Sequence, residues 1–422
     1  MREKPFRMRD RALTGGPIWT SIPPAPSVII VGQSPTPDRP KPFRSIPAMS
    51  AHDHPRQTSD RGRGAALTLA ALVLFHWASA ARAADLGAIL ADVTAKFALP
   101  GAILLVSGPE GRETAVTGLA NLATGAPVTE QTRFHVASVG KILTAAAILQ
   151  VVDEGKLGLA DPVLKYVDPR DADRITHLDK ANLASLLSHT SGLPDCLRNA
   201  LFSIPEHPSI SWTAAEALRL GRCRPATPPG KYAYSNTNYI LLGHILEQVE
   251  GEGLAAILAR RILAPLEMAD STAEVAPADP RLAHGYRLAT PQGERRDASL
   301  LAWSSRLGDA PVTTTAADLD RLFKALFRPD SKLLSPAMLS AMKTEWGKDE
   351  DESYGYGLVQ IASDFGPRFG HSGRFAGFCA EAWHYPDKDT TVIMLANGDE
   401  HTADDVMDLI EERLFPPVVA AK

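Results

Sequence analysis

A serine at position 138 is followed three residues later by a lysine, in Ser138-Val-Gly-Lys141. A hydroxyl is a weak nucleophile until a base takes its proton, and on a helix the residue three positions on shares its face and can be that base. The positive end of the helix favours the alkoxide and disfavours a protonated lysine, which also pushes Lys141 toward the base form. Tyr234-Ser-Asn236 follows 96 residues later and His371-Ser-Gly373 a further 137. A phenol near a cation can carry a second proton, and a carboxamide can hold a substrate carbonyl while orienting a lysine. A histidine in a strand bordered by Gly370 and Gly373 can anchor an acyl group or a carboxylate, while the glycines let a substrate backbone approach the strand edge. The chemistry is serine acyl transfer. The expected catalytic residues are Ser138, Lys141 and Tyr234; the expected substrate contacts are Asn236, His371, Ser372 and Gly373; the N–H groups of Ser138 and Arg374 are the expected oxyanion donors. No metal or cofactor is called for.

Each fragment alone proves little. Ser340-Ala-Met-Lys343 has the same spacing inside a late amphipathic helix and reads as surface. Tyr-x-Asn is more often a turn with a capping amide, and Lys156-Leu-Gly158 imitates the Lys-x-Gly form of the third motif but follows a helix. What singles out Ser138 is its place at a strand-to-helix junction, ahead of Tyr234 and His371 in order.

The elements that must position these groups follow from periodicity. Leu86, Ile89, Leu90, Val93 and Phe97 give a helix over Asp85–Phe97 ending before Pro100-Gly101. Ala102–Val106 and Thr114–Leu119 read as strands joined by the Gly108-Pro-Glu-Gly111 turn. Phe134–Glu154 opens extended and becomes a strong helix, with Ser138 near its start. From Gly155 to about Gly285, helical stretches (Leu183–Ser188, Thr213–Leu220, Tyr239–Glu250, Leu254–Leu263) alternate with Pro and Gly breaks. Thr315-Ala-Ala-Asp318 is a capping box opening a helix through Phe327. Strands follow at Tyr356–Ala362, Arg368–Ser372, Phe378–Tyr385 and Thr391–Ala396, then an amphipathic helix over Asp404–Leu414. The expected fold is α+β: one antiparallel sheet assembled from both chain ends (residues 84–155 and 286–422), flanked by N- and C-terminal helices, with a helical domain inserted at 156–285.

Charge is uneven. Of the 44 Lys/Arg and 49 Asp/Glu, residues 1–83 hold 12 and 5, leaving 32 and 44 for residues 84–422. A body of net −12 lacks the basic face that nucleic-acid phosphates require. Arg56, Arg61 and Arg63 precede a 13-residue apolar run, Ala65–Trp77, and Ala81-Arg-Ala83 supplies small residues for cleavage. This is the pattern of a secretory signal over 49–83, too short an apolar run for a comfortable bilayer span. The expected location is therefore periplasmic or secreted. Residues 1–48, with ten prolines, are expected to be untranslated or disordered, Met49 being a plausible start. In an exported chain Cys196 and Cys223 could pair, leaving Cys379 as a buried apolar residue.

With these segments in view, the chain resembles the serine β-lactamase and penicillin-binding-protein superfamily, and is most similar to its class C β-lactamase, DD-peptidase, D-aminopeptidase and esterase branch. The resemblance runs from about Leu86 to Leu414. It is carried by Phe134-His-Val-Ala-Ser-Val-Gly-Lys141, Leu187-Ser-His-Thr-Ser-Gly-Leu-Pro194, Tyr234-Ser-Asn-Thr-Asn-Tyr-Ile-Leu-Leu-Gly243 and Pro265-Leu-Glu-Met268. It implies an α/β sandwich and a helical domain with the site between them, an acyl-enzyme on Ser138 and no metal. Class C β-lactamases usually have Lys-Thr-Gly where this chain has His371-Ser-Gly373, a form similar to that of some DD-peptidases and D-aminopeptidases. Histidine titrates near neutrality where lysine does not. Efficient β-lactam hydrolysis is therefore the less expected outcome. The leading expectation is an exported serine hydrolase of the D-alanyl-D-alanine carboxypeptidase type acting on a small peptide, amide, ester or β-lactam. The alternatives are a class C-like β-lactamase, a small-ester esterase, and a penicillin-binding sensor that does not turn over. No residue stands out as a deacylation base.

Overall fold

The computed structural model describes residues 29–30 and 85–415, apart from breaks at 173–174, 197–212, 215–216, 218–223, 275–277, 291–292, 305–306, 329, 351 and 400–402. Its centre is an antiparallel sheet built from β1 (Gly101–Gly108), β2 (Gly111–Asn121), β3 (Val359–Ser363), β4 (Gly366–Phe375), β5 (Phe378–Tyr385) and β6 (Thr390–Ala396). The order across the sheet is Ile29–Ile30, β2, β1, β6, β5, β4, β3, then the short strands Ser353–Tyr354 and Gly347–Lys348. The junction of β1 with β6, registered Ala102 to Ala396 and Leu104 to Met394, is where the two ends of the chain meet.

Strand periodicity divides the core into two layers. Ala102, Leu104, Val392 and Met394 point to one face and pack against α1 (Leu86–Lys96) and α6 (Ala403–Leu414) through Leu90, Val93, Val406 and Ile410. Ile103, Leu105, Ile393 and Leu395 point to the other, toward α2 (Lys141–Asp153) and α4 (Ala316–Phe327), which supply Ile142, Leu319, Leu322 and Phe323. A sheet covered on both sides needs continuous apolar strands, and β5 is buried at all eight positions. Each fully buried Leu, Ile or Phe contributes about 1.5–3 kcal/mol relative to exposure.

Between residues 155 and 285 the described residues form helices, turns and isolated bridges only. The longest element is α3 (Asn236–Glu250), whose Tyr239, Leu242, Ile245 and Leu246 pack with α2. A hairpin, Tyr286–Leu288 with Arg295–Asp297, was not expected. The first late strand begins at Val359 rather than Tyr356, because Gly357 takes φ +84° and Gly355 N–H closes onto the Leu358 carbonyl at 2.7 Å, a tight turn where extended chain was expected. The capping box is half formed. Thr315 accepts the Asp318 N–H at 3.2 Å, but the Asp318 carboxylate turns away to Asp270 N–H (2.9 Å) and Ser271 Oγ (2.8 Å). Cys196 is disulfide-bonded and Cys379 is a buried free thiol; Cys223, and most of the Thr213–Leu220 helix expected from periodicity, lie outside the described residues. No described helix is long and apolar enough to cross a membrane.

Candidate active site

Phe134-His135 pairs with Thr313-Thr314 as a two-residue ladder, and the chain then turns sharply into a single 3-10 turn, Ala137–Gly140, before α2 begins at Lys141. Ala137, just ahead of the nucleophile, has φ +47°, a left-handed conformation that costs free energy for a residue with a Cβ. In a 3-10 turn residues i and i+3 eclipse, so the lysine stem rises directly beside the serine. Lys141 Nζ lies 2.9 Å from Ser138 Oγ.

Lys141 has no accessible surface. Besides Ser138, its Nζ donates to Asn236 Oδ1 at 2.8 Å and to the Asp309 carbonyl at 2.9 Å. Both of those oxygens can only accept. A neutral amine has two hydrogens and one lone pair. With the hydrogens committed to two carbonyl-type oxygens, the lone pair is left facing the Ser138 hydroxyl. Burial lowers the Lys141 pKa to about 8, against the opposing pull of the Asp309 and Asp195 carboxylates.

Asn236 is the first residue of α3, so its side chain is set by a helix start; its Nδ2 reaches Asp195 Oδ2 at 3.5 Å. The half-buried Tyr234 precedes it, with its phenol hydrogen-bonded to the Ser138 side chain and its ring 5.1 Å below the Lys141 ammonium. Burial raises the phenol pKa well above its ordinary value, outweighing the Ser138 hydrogen bond. Tyr234 is therefore a neutral phenol at working pH, able to relay a proton but not to persist as a phenolate.

The third motif lies on β4. A Cβ on Gly373 would fall 2.3 Å from the Val136 carbonyl and 3.1 Å from the Ser138 amide nitrogen, so only glycine lets this strand close onto the nucleophile turn. Ser372 is half-buried, and the Arg374 side chain is exposed with Nη2 on the Asp399 carbonyl at 2.8 Å. His371 differs from expectation. It is 3 % exposed, with Nδ1 2.6 Å from the Ser372 carbonyl and Nε2 3.1 Å from the Tyr354 hydroxyl. Burial, reinforced by the nearby Lys141 charge, lowers its pKa to about 3. The expectation that His371 titrates near neutrality and offers a side-chain donor to substrate is corrected: both ring nitrogens are already engaged and the ring stays neutral. An alternating pattern identifies the strand but not the packing of one imidazole.

Two contributors had no sequence signal. Asp309 sits on a loop held against α2 and α3: Thr144 Oγ1 donates to the Gly308 carbonyl at 2.7 Å, and a Cβ on Gly308 would meet the Tyr239 carbonyl at 2.2 Å. Its carboxyl is buried, with Oδ1 unbonded and a pKa raised to about 6, chiefly by burial and against the pull of Lys141. Asp195 is the other. Its only precursor was the Leu187–Pro194 segment, which ends one residue before it. No group of three His, Cys, Asp or Glu able to hold a metal ion occurs among the described residues.

The decoys separate from the site. Ser340 is exposed on α5 (Pro336–Lys343), remote in kind from the Ser138 turn, and Lys156 forms surface ion pairs with Glu154 and Glu250.

A sheet packed on both faces and a buried Ser–Lys pair at a helix start are joined in one chain, and residues 86–415 match the β-lactamase family: the chain belongs to it. It is 29 % identical over 326 residues to a D-aminopeptidase of Brucella canis, a match covering 75 % of this chain and 60 % of that protein. It is 26 % identical over 300 residues to penicillin-binding protein 4* of Bacillus subtilis, covering 68 % and 65 %. Among solved structures, a D-stereospecific amidohydrolase from Streptomyces superposes with a TM-score of 0.67 at 25 % identity, covering 78 % of this chain and 98 % of that one. The expected α+β fold is the observed one. The chain spans under two thirds of the length of the curated relatives it matches.

Proposed function

We propose that this protein hydrolyses an amide or peptide bond next to a D-configured residue through an acyl-enzyme on Ser138. The observation that carries this is the Lys141 amine, buried and held by two carbonyl-type acceptors with Ser138 Oγ at 2.9 Å. In the proposed cycle neutral Lys141 takes the Ser138 proton as Oγ attacks the carbonyl. The N–H groups of Ser138 and Arg374 receive the oxyanion, and Tyr234 relays the proton to the leaving amine. Water then attacks the ester with the same groups run in reverse. Asn236 holds the lysine and offers its amide to the substrate.

The D-aminopeptidase and D-stereospecific amidohydrolase relatives favour an amide whose acyl side carries a D-amino acid. The second reading is a D-alanyl-D-alanine carboxypeptidase, with the exposed Arg374 guanidinium taking the terminal carboxylate; penicillin-binding protein 4* is the relative that favours it. Export through the 49–83 signal is part of both readings.

The test compares the mature chain with Ser138→Ala. Both are labelled with a reporter penicillin and assayed on D-alanine p-nitroanilide, an N-acylated D-Ala-D-Ala peptide, a chromogenic cephalosporin and a p-nitrophenyl ester. Release of nitroaniline by the parent and by no variant lacking Ser138 is the expected result. Labelling that persists in Ser138→Ala sinks the nucleophile, release of D-alanine alone selects the carboxypeptidase, and acylation without turnover selects a sensor.

A further inference from the structure

His189 is a buried imidazole that the cycle above does not use. It has no accessible surface and sits at φ +56° in the Leu187–Pro194 segment. Its Nδ1 faces two donors, the Ser235 N–H at 3.2 Å and the Asn238 carboxamide nitrogen at 3.0 Å. The Ser235 N–H can only donate, so Nδ1 must be unprotonated and the ring proton sits on Nε2, an atom that is buried without a hydrogen-bond partner. The ring lies against the Tyr234 ring at 4.3 Å between centroids, with Tyr354 edge-on at 4.6 Å. The main chain joins in, since the Ala233 N–H donates to the His189 carbonyl at 2.9 Å. Three contacts therefore converge on the four residues that contain Tyr234 and Asn236.

We propose that His189 is a positioning residue for acyl transfer, its bare Nδ1 accepting from Ser235 and Asn238 and its ring carrying Tyr234, so that the phenol stays at the Ser138 hydroxyl. It touches neither Ser138 nor Lys141 through a hydrogen bond and acts through Tyr234. Burial first, then the Lys141 charge, holds its pKa well below the ordinary imidazole value, which favours the neutral, accepting form. An inert space-filling role predicts something different. Any aromatic of similar shape would serve, yet phenylalanine would set carbon against two buried N–H donors. Asparagine is the informative replacement: its Oδ1 falls near the place of Nδ1, and it is among the few residues that adopt positive φ readily.

The inference rests on the Ser138 reading and is tested so that the two fail separately. His189→Asn and His189→Phe are made alone and with Tyr234→Phe, and assayed on D-alanine p-nitroanilide, whose leaving amine needs the relayed proton, alongside melting curves. His189→Phe is expected to lower kcat by about 30-fold or more with KM moving less than about threefold, and His189→Asn to recover at least about a fifth of parental kcat although it fills less space. In the Tyr234→Phe background either change is expected to cost less than about threefold, because the group it positions is gone. Equal losses for Asn and Phe, or the same factor for His189→Phe in both backgrounds, overturn the proposal. If His189→Phe does not fold, His189→Leu, which likewise offers no acceptor to the two N–H donors, takes its place in both backgrounds. Penicillin labelling that survives Ser138→Ala fails the functional reading instead.

Discussion

Ser138-Val-Gly-Lys141 and Ser340-Ala-Met-Lys343 share a spacing and almost nothing else. In the first, a left-handed residue and a 3-10 turn lift the serine beside a lysine with no accessible surface, whose hydrogens go to Asn236 and Asp309. In the second, the serine is exposed on an ordinary α-helix, and Lys343 lies over the Phe327 ring at 5.4 Å with Nζ 3.4 Å from the Leu326 carbonyl. Burial lowers the Lys343 pKa as well. A depressed lysine is thus not sufficient; what differs is that only Lys141 has acceptors from two other chain segments that direct its lone pair at a hydroxyl. Spacing supplies reach, and the surroundings supply chemistry.

The largest effect expected is the loss of the true pair. Ser138→Ala should lower kcat by about 10⁴–10⁶-fold, measured by single-turnover acylation, while Ser340→Ala leaves it within about twofold and stability within about 0.5 kcal/mol. A large loss at Ser340 would break the comparison. Lys141→Met should cost about 10²–10⁴-fold in kcat/KM and abolish its rise with pH. In the parent the base form exists above the Lys141 pKa of about 8, so kcat/KM should fall about tenfold per pH unit below that point; a profile flat from pH 6 to 9 would remove lysine from the role of base. Gly373→Ala forces carbon onto the Val136 carbonyl and should cost about 10²-fold in kcat through displaced oxyanion donors. Gly101→Ala, which away from the site would set a Cβ 2.6 Å from the Leu119 carbonyl, is the control for mere crowding. The smallest and sharpest effect is at Asp309. Its carboxylate raises the Lys141 pKa, so Asp309→Asn should move the acid limb of the profile to lower pH, and a shift to higher pH would refute the assigned interaction.

The reach of sequence follows the same division. β5, Phe378–Tyr385, was placed residue for residue, because a strand buried on both faces must be a continuous apolar run between turns. Ser138 and Lys141 were legible because the motif sits at a change of period. The Tyr286–Asp297 hairpin was not, since its strands are short, polar and largely exposed. Asp309 was silent for a different reason: it contributes a main-chain oxygen, which every residue has. The fate of His371 depended on Tyr354, 17 residues away on another strand, and no periodicity encodes which neighbour an imidazole will meet.

The meeting of β1 with β6 has a consequence for when activity can begin. Ser138 and its lysine are made early, but the strand that closes onto them at Gly373 is joined to the rest only through β5 and β6, synthesised more than 230 residues later. Such non-local pairing forms slowly. A nascent chain emerging from the ribosome therefore carries Ser138 and Lys141 without their opposing wall, and the site is incomplete until the last strand has docked.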